Sequence, residues 1–374
     1  MSNRLSVTVI VGSPGNDGSH AFGQLIQQSA EQRVAAIVPK RSIRRKRPTG
    51  DVSLIPTTER LIRLGEGCSC CTVRGDLLTK VQRIAEEQSA DHLLIQASAH
   101  TDLRILAKTF TVADAQGAVL SDVARIDSLV TVLDAGAFYT TVGGTGARAL
   151  IERVEFANVV LLEGTSSLSP DMLDRVRSGI AVLNPNARIV RGDEDKLQLS
   201  AVQADHPFDL DQAEQRAAGM GEASGSNTAS GAVVRFDYQA RRPFHPARLH
   251  ALIEQPWAGI LRVQGSFWVA SRPNMACSMD IAGASRNTLP EGMWWASVPT
   301  EERPGNPDLA RYLESIWHPE YGDRHNKLSI VGTETDAAEL RDRLQTCLLN
   351  DEELAAPEQW GSMQDPFKWP DPMQ

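Results

Sequence analysis

Three of the chain's five cysteines fall within four positions, in Gly67-Cys68-Ser69-Cys70-Cys71-Thr72-Val73-Arg74-Gly75-Asp76-Leu77-Leu78. In an extended segment Cys68 and Cys70 point to the same face, and Cys71 joins them where a turn or a helix start intervenes. Leu77, Leu78, Val81 and Ile84, with Asp76 ahead of them, have the spacing of an amphipathic helix. A loop entering a helix N-terminus favours negative charge, so these thiols should ionise more readily than free cysteine. Thiolates so placed suit Zn²⁺ or Cu⁺, and a tetrahedral site needs a fourth ligand or water. Two other uses of the cluster remain open, a redox or disulfide role and plain packing of small apolar side chains.

A fourth ligand is sought at the ends of the strands that must carry this loop. His92-Leu93-Leu94-Ile95-Gln96 has the character of a buried strand, followed by Ala97-Ser98-Ala99-His100-Thr101-Asp102. Loops at the C-terminal ends of parallel strands are where ligands bind, which makes His100 the candidate. Earlier, the apolar Ser6 to Val11 runs into Gly12-Ser13-Pro14-Gly15-Asn16-Asp17-Gly18-Ser19-His20 and a helical stretch from Ala21 to Gln28. Strand, glycine-rich turn and helix is the phosphate-loop layout, with Gly12, Gly15, Gly18 and Ser19 as its vestigial cofactor-binding positions. Asp17 or Gly18 stands where such a loop needs its lysine, and an acidic group there repels phosphate. The glycines and the helix N-terminus retain only a weak anion site, and a bare turn between strand and helix is the alternative.

Further strands are expected at Val34 to Val38, Ser128 to Leu133, Val159 to Leu162 and Ala187 to Val190, with helices at Ala147 to Glu155 and Ser169 to Ser178. Their alternation predicts an α/β fold with a doubly wound, mostly parallel sheet, followed by a smaller α+β domain. The expected divisions are 1–200 for the first domain, 201–231 for a Gly/Ser/Ala-rich linker, 232–356 for the second domain and 357–374 for an extended Trp- and Pro-rich tail. In the second domain, strands are expected near Val233 to Gln239, Gly259 to Val263, Ser266 to Ala270 and Leu328 to Val331. Helices are expected from Ala247 to Glu254, opened by Pro246, and from Ala337 to Leu348.

The chain has 374 residues and a net charge of −9, which argues against a surface generally coated by nucleic acid. One run departs from that balance: six of the eight residues from Lys40 to Arg47 are basic, namely Lys40, Arg41, Arg44, Arg45, Lys46 and Arg47. That run is either a solvated loop or a patch contacting phosphates, those of rRNA in particular. With no apolar run of spanning length and no secretory leader pattern at its start, the chain is expected to be cytoplasmic, with no membrane contact.

Taken together, these motifs resemble the CobW-type metallochaperone GTPases over nearly the full length. The resemblance rests on Gly67 to Leu77, which is similar to that family's GCxCC motif with its T-x-R-x-D-L. It rests also on Glu155 to Val159, Leu183-Asn184-Pro185, Ala240 to Pro246 with Arg248-Leu249, Gly265 to Pro273, and Gly322-Asp323-Arg324-His325. It implies a GTP-binding domain that controls transfer of Zn²⁺, or a related metal, through Cys68, Cys70 and Cys71 to a client metalloprotein. The chain departs from the pattern where nucleotide chemistry is done. The phosphate-loop lysine is absent, the acidic switch segment is replaced by the basic run, the family's glutamate is Gln96, and the guanine-reading NKxD is Glu163-Gly164-Thr165-Ser166. Each lost charge-assisted contact is worth about 1.5–3 kcal/mol, against about 8 kcal/mol for micromolar binding, so GTP/Mg²⁺ is not expected to bind tightly or be hydrolysed. Ala240 to Pro246, Gly322 to His325, and the tail from Trp360 to Trp369 with its Asp365-Pro366-Phe367 resemble a sub-branch that includes an actinobacterial factor recruiting a ribosome-hibernation protein when zinc is scarce. That implies a ribosome or hibernation-factor partner as the alternative to a metal client.

Overall fold

The computed structural model describes residues 4–29, 33–40, 52–58, 61–63, 72–98, 100–113, 117, 119–192, 197–217, 233–303 and 306–369. These form two compact units, one of Met1–Thr141 with Ala149–Met220, the other of Val142–Arg148 with Gly221–Gln374.

The first unit contains β1 (Leu5–Gly12), α1 (Ser19–Gln28), β2 (Val34–Pro39), β3 (Val52–Thr57), β4 (Leu61–Arg63), β5 (Thr72–Arg74), α2 (Gly75–Glu86), β6 (His92–Ala97), α3 (Leu103–Thr111) and β7 (Ala124–Asp134). After α4 (Phe138–Gly143) and α5 (Ala147–Phe156), whose facing ends within Val142–Arg148 fall with the second unit, come β8 (Val159–Glu163), α6 (Pro170–Leu183), β9 (Arg188–Arg191) and α7 (Leu210–Ala217). Seven strands form one sheet in the order β3-β2-β6-β1-β7-β8-β9, and every pairing in it is parallel. Strands covered on both faces read as unbroken apolar runs, as β1, β6 and β8 do, because water reaches neither side. The β4–β5 pair is a separate antiparallel ribbon.

Local chemistry sets the helix ends. Ser169 caps α6 by accepting the Met172 N–H, with Pro170 in the first turn. At the far end of α5, the buried Asn184 donates Nδ2 to the carbonyls of Val154 and Ala157, both at 2.7 Å, satisfying groups the helix leaves open. The residues from 201 to 217, placed with the linker by composition, belong to the first unit. Phe208 donates its N–H to Ile126 O, and Arg216 Nε donates to Glu155 O at 3.0 Å. Ala213 is the sole apolar side chain that α7 buries, so no apolar stripe announced the helix.

The second unit holds β10 (Val233–Ala240), α8 (Pro246–Ile253), β11 (Ile260–Phe267), β12 (Met275–Ala282), β13 (Ser285–Met293), α9 (Pro307–Ile316), β14 (Asn326–Thr333), α10 (Glu334–Cys347) and α11 (Asp351–Leu354). Its five-stranded antiparallel sheet has the order β10-β14-β11-β12-β13. The two strands expected on either side of Gly265 are one strand, β11, ending at Phe267. Gly265 has φ +144° and lies where a Cβ would come within 2.1 Å of Lys327 O, so glycine permits close approach inside the sheet instead of making a turn. The tail is not wholly extended: Pro357–Ser362 makes a 3₁₀ turn before an irregular segment that reaches Trp369.

His92 gives the first unit a pH dependence. It opens β6 in register with Ser6 and Val34, and its buried ring faces Thr8 Oγ1 at 3.0 Å. Burial pushes its pKa from 6.5 down to about 4, against a weaker opposite pull from Asp127. The unfolded chain therefore takes up the proton first, and stability that is complete above pH 6.5 is lost as pH falls toward about 4. The loss reaches about 3 kcal/mol at most. Chemical denaturation across that range should show it, and His92→Gln, which keeps a hydrogen-bonding group but does not titrate, should flatten the curve. An equal slope in both proteins would remove His92 as the cause.

Candidate functional site

The turn after β1 closes on itself. Asn16 donates its N–H to Ser13 O at 2.9 Å, the Gly18 N–H goes to Asn16 Oδ1 at 2.9 Å, and the Ser19 N–H goes to Asp17 Oδ1 at 3.0 Å. The loop folds so tightly over Gly12 that a Cβ there would meet Asn16 O at 2.1 Å, and Gly15 and Gly18 hold φ +87° and +67°. Two backbone N–H groups at the start of α1, those of Gly18 and Ser19, are taken by the chain's own amide and carboxylate, where a phosphate loop would offer such groups to its ligand.

Glu163, at the end of β8, completes this arrangement. Its Oε2 accepts from Asn16 Nδ2 at 2.7 Å, and its Oε1 lies 3.2 Å from His20 Nδ1. Gln96, at the end of β6, donates Nε2 to Ser19 Oγ at 3.1 Å. From the sequence, Glu163 and Gln96 registered as lost nucleotide contacts; the structure gives both an internal partner in the glycine loop. The ends of β6 and β8 converge on that loop only through the sheet order, a long-range fact that no local pattern carries.

A second cluster is built on residues that follow the cysteines in sequence. Arg74, the last residue of β5, donates Nε and Nη2 to Asp76 at 2.8 Å each. Both side chains are nearly out of solvent, with 3% and 7% exposure. Thr57 Oγ1 at the end of β3 donates to the same carboxylate, and the Arg74 N–H donates to Thr109 Oγ1 of α3. Burial raises the Asp76 pKa, but the hydrogen bonds from Arg74 and Thr57 and the guanidinium charge outweigh it and hold the carboxyl below its ordinary value. This network ties β3, β5, α2 and α3 together. It was missed as a unit because Thr57 and Thr109 are far from the motif in sequence.

Cys68, Cys70 and Cys71 lie outside the described residues, as do Arg41, Arg44, Arg45, Lys46 and Arg47 of the basic run. Lys40 follows directly after β2, its N–H donated to Thr57 O at 3.1 Å. His100 is exposed in the turn after β6, with its backbone N–H given to Ser98 Oγ at 3.3 Å. Among the described residues no group of three or more His, Cys, Asp or Glu side chains is arranged to hold a metal ion.

In the second unit, the motif residues Gly322 to His325 hold the fold. Asp323 accepts the N–H groups of Trp295 and Ala296 at 2.9 and 2.8 Å, and Arg324 donates to Pro273 O at 2.8 Å and to Ser297 Oγ at 2.8 Å.

Residues 6–191 match the CobW/HypB/UreG nucleotide-binding domain, and residues 233–348 match the cobalamin synthesis protein cobW C-terminal domain. The chain belongs to the CobW family. The zinc-regulated GTPase metalloprotein activator 1 of Dictyostelium discoideum is 30% identical over 337 residues, covering 83% of this chain and 70% of that protein. A zinc chaperone of Mycobacterium tuberculosis is 26% identical over 381 residues, covering 97% of this chain and 93% of that one. Among solved structures, the Zn(II)-bound YjiA GTPase from E. coli aligns with a TM-score of 0.38 at 13% identity, over 93% of this chain and 100% of that one.

Proposed function

We propose that this CobW-family protein is a zinc handler that takes Zn²⁺ as cargo on Cys68, Cys70 and Cys71 and passes it to a client metalloprotein, with a glycine loop that has given up nucleotide chemistry. The observation that carries the reading is the cysteine cluster itself, three thiols in four positions leading directly into the strand that ends at the buried Arg74–Asp76 pair. Relatives whose names refer to zinc support the choice of metal. His100, exposed at the end of β6, is the proposed fourth ligand.

The loss of nucleotide chemistry has a physical basis in the loop. A phosphate entering it would have to displace the Asp17 carboxylate and the Asn16 amide from the N–H groups they occupy. No lysine would compensate the charge. Both carboxylates near the loop, Asp17 and Glu163, repel an anion as well.

One titration tests both parts. Apo protein titrated with Zn²⁺ against a chelator of known affinity should take up about one equivalent, with the same affinity whether or not GTP and Mg²⁺ are added. Calorimetry with GTP and Mg²⁺ alone should give no heat in the micromolar range. GTP binding at a low-micromolar Kd would overturn the account of the loop; absence of tight zinc uptake would overturn the metal reading.

A further inference from the structure

The C-terminal segment of the chain contacts the second unit in the manner of a bound peptide. Asp365, Phe367 and Trp369 turn inward at alternate positions, while Lys368 between the aromatics is exposed. Asp365 Oδ2 accepts from Ser271 Oγ and from Arg272 Nε, both at 2.8 Å. Phe367 is buried in the unit's core cluster, its ring 6.3 Å from that of Phe267 and 5.2 Å from the His250 ring. Trp369 stacks on Phe367 at 4.3 Å and donates Nε1 to Thr288 O at 2.8 Å. Arg272 completes the contact by donating to the main-chain carbonyls of Phe367 and Trp369, at 3.2 and 3.4 Å.

A carboxylate held by arginine, aromatic anchors at alternating positions and captured main-chain carbonyls are the devices of sites that recognise extended peptides. We propose that Phe267, Arg272, His250 and Thr288 line a peptide-recognition groove for the pattern Asp-x-Phe-x-Trp, and that the chain's own segment Asp365–Trp369 is its ligand, bound in cis. Tethering gives this segment an effective concentration in the millimolar range, enough to keep a modest site filled.

The groove reaches an edge strand of the sheet. β13 is an edge of the sheet, hydrogen-bonded to β12 alone, and its Leu289 and Met293 are 59% and 46% exposed. An open edge with exposed apolar side chains invites pairing with another strand. The tail takes the Thr288 carbonyl on this strand and leaves Leu289 and Met293 open beside it.

Two measurements test the proposal. Lys368 offers trypsin a cleavage site inside the bound segment, and bound segments resist proteases. In the full chain, Asp365→Ala and Phe367→Ala should each speed cleavage after Lys368 at least tenfold, with cleavage elsewhere unchanged; an unaltered rate would overturn the proposal. Secondly, a chain ending at Gln364 should bind a synthetic peptide of residues 362–370 with a one-to-one stoichiometry and a Kd on the order of 100 µM. The same peptide carrying Asp365→Ala should bind at least tenfold more weakly. A truncated chain that retains its circular dichroism but ignores the peptide would show that the tail is not a ligand. One that unfolds, and is not restored by excess peptide, would show it to be an integral part of the core, and would equally overturn the proposal.

Discussion

Replacing Asp76 with alanine should destabilise the first unit by about 3–5 kcal/mol, the range for removing one partner from a buried ion pair. Arg74 and Asp76 are 3% and 7% exposed, and deleting the carboxylate takes two hydrogen bonds and a countercharge from a guanidinium that is nearly out of solvent. The hydrogen bond from the Thr57 hydroxyl to Asp76 is lost in the same step. For a unit of this size, each kcal/mol shifts the melting midpoint by about 2–4 °C, so calorimetry should find the transition of the first unit lowered by roughly 10 °C. Removing both charges should cost less than the sum of the single changes, because each deletion removes the same interaction. The lowered Asp76 pKa adds a pH signature. A carboxyl whose folded pKa lies below its unfolded value stabilises the fold above the unfolded pKa and loses that contribution as pH falls through the folded one. The Asp76→Ala variant should therefore lose less stability on acidification than the wild type. A loss below about 1 kcal/mol at neutral pH would mean the pair is better solvated than its burial indicates.

Which parts of this molecule were legible in its sequence follows from where water reaches. Strands β1, β2, β6 and β8 are covered on both faces and were readable as apolar runs bounded by turns. The edge strand β3 is only partly buried and contains Pro56, so its pattern is weak. The β12–β13 hairpin was missed for two different reasons. β12 does alternate, burying Met275, Cys277, Met279 and Ile281, and a signal was there to be used. β13 is polar and exposed on the sheet edge and carries almost none. Pro246 was readable as the opening of α8, and the structure adds that His245 caps it, Nδ1 taking the Arg248 N–H. The site divides in the same way. The cysteine motif and the glycine loop are local in sequence and stood out, whereas Glu163 to Asn16, and Thr57 to Asp76, are contacts made by the tertiary fold.

Changing Cys68, Cys70 and Cys71 together to serine should abolish tight zinc binding, weakening it by a factor on the order of 1,000 or more, about 4 kcal/mol. Hydroxyls neither ionise near neutral pH nor match the softness of thiolate for Zn²⁺, so the variant keeps the loop but loses its ligands. The fold should survive. Each unit has its own sheet and buried core, unlike a small zinc finger whose folding energy comes from the metal. The apo variant should thus melt within a few degrees of the apo wild type, which separates this result from the Asp76 effect. In the wild type, zinc affinity should fall as pH is lowered, because protons compete with the metal for the thiolates. Co²⁺ provides a spectroscopic check, since thiolate ligation adds a near-ultraviolet charge-transfer band that should be present in the wild type and missing in the triple variant. His100→Ala, examined by the same band and by affinity, decides the fourth position: a change places His100 in the metal's coordination shell, and no change leaves that position to water or to the client. Unaltered zinc affinity in the triple-serine variant would sink the proposal that these cysteines carry the cargo.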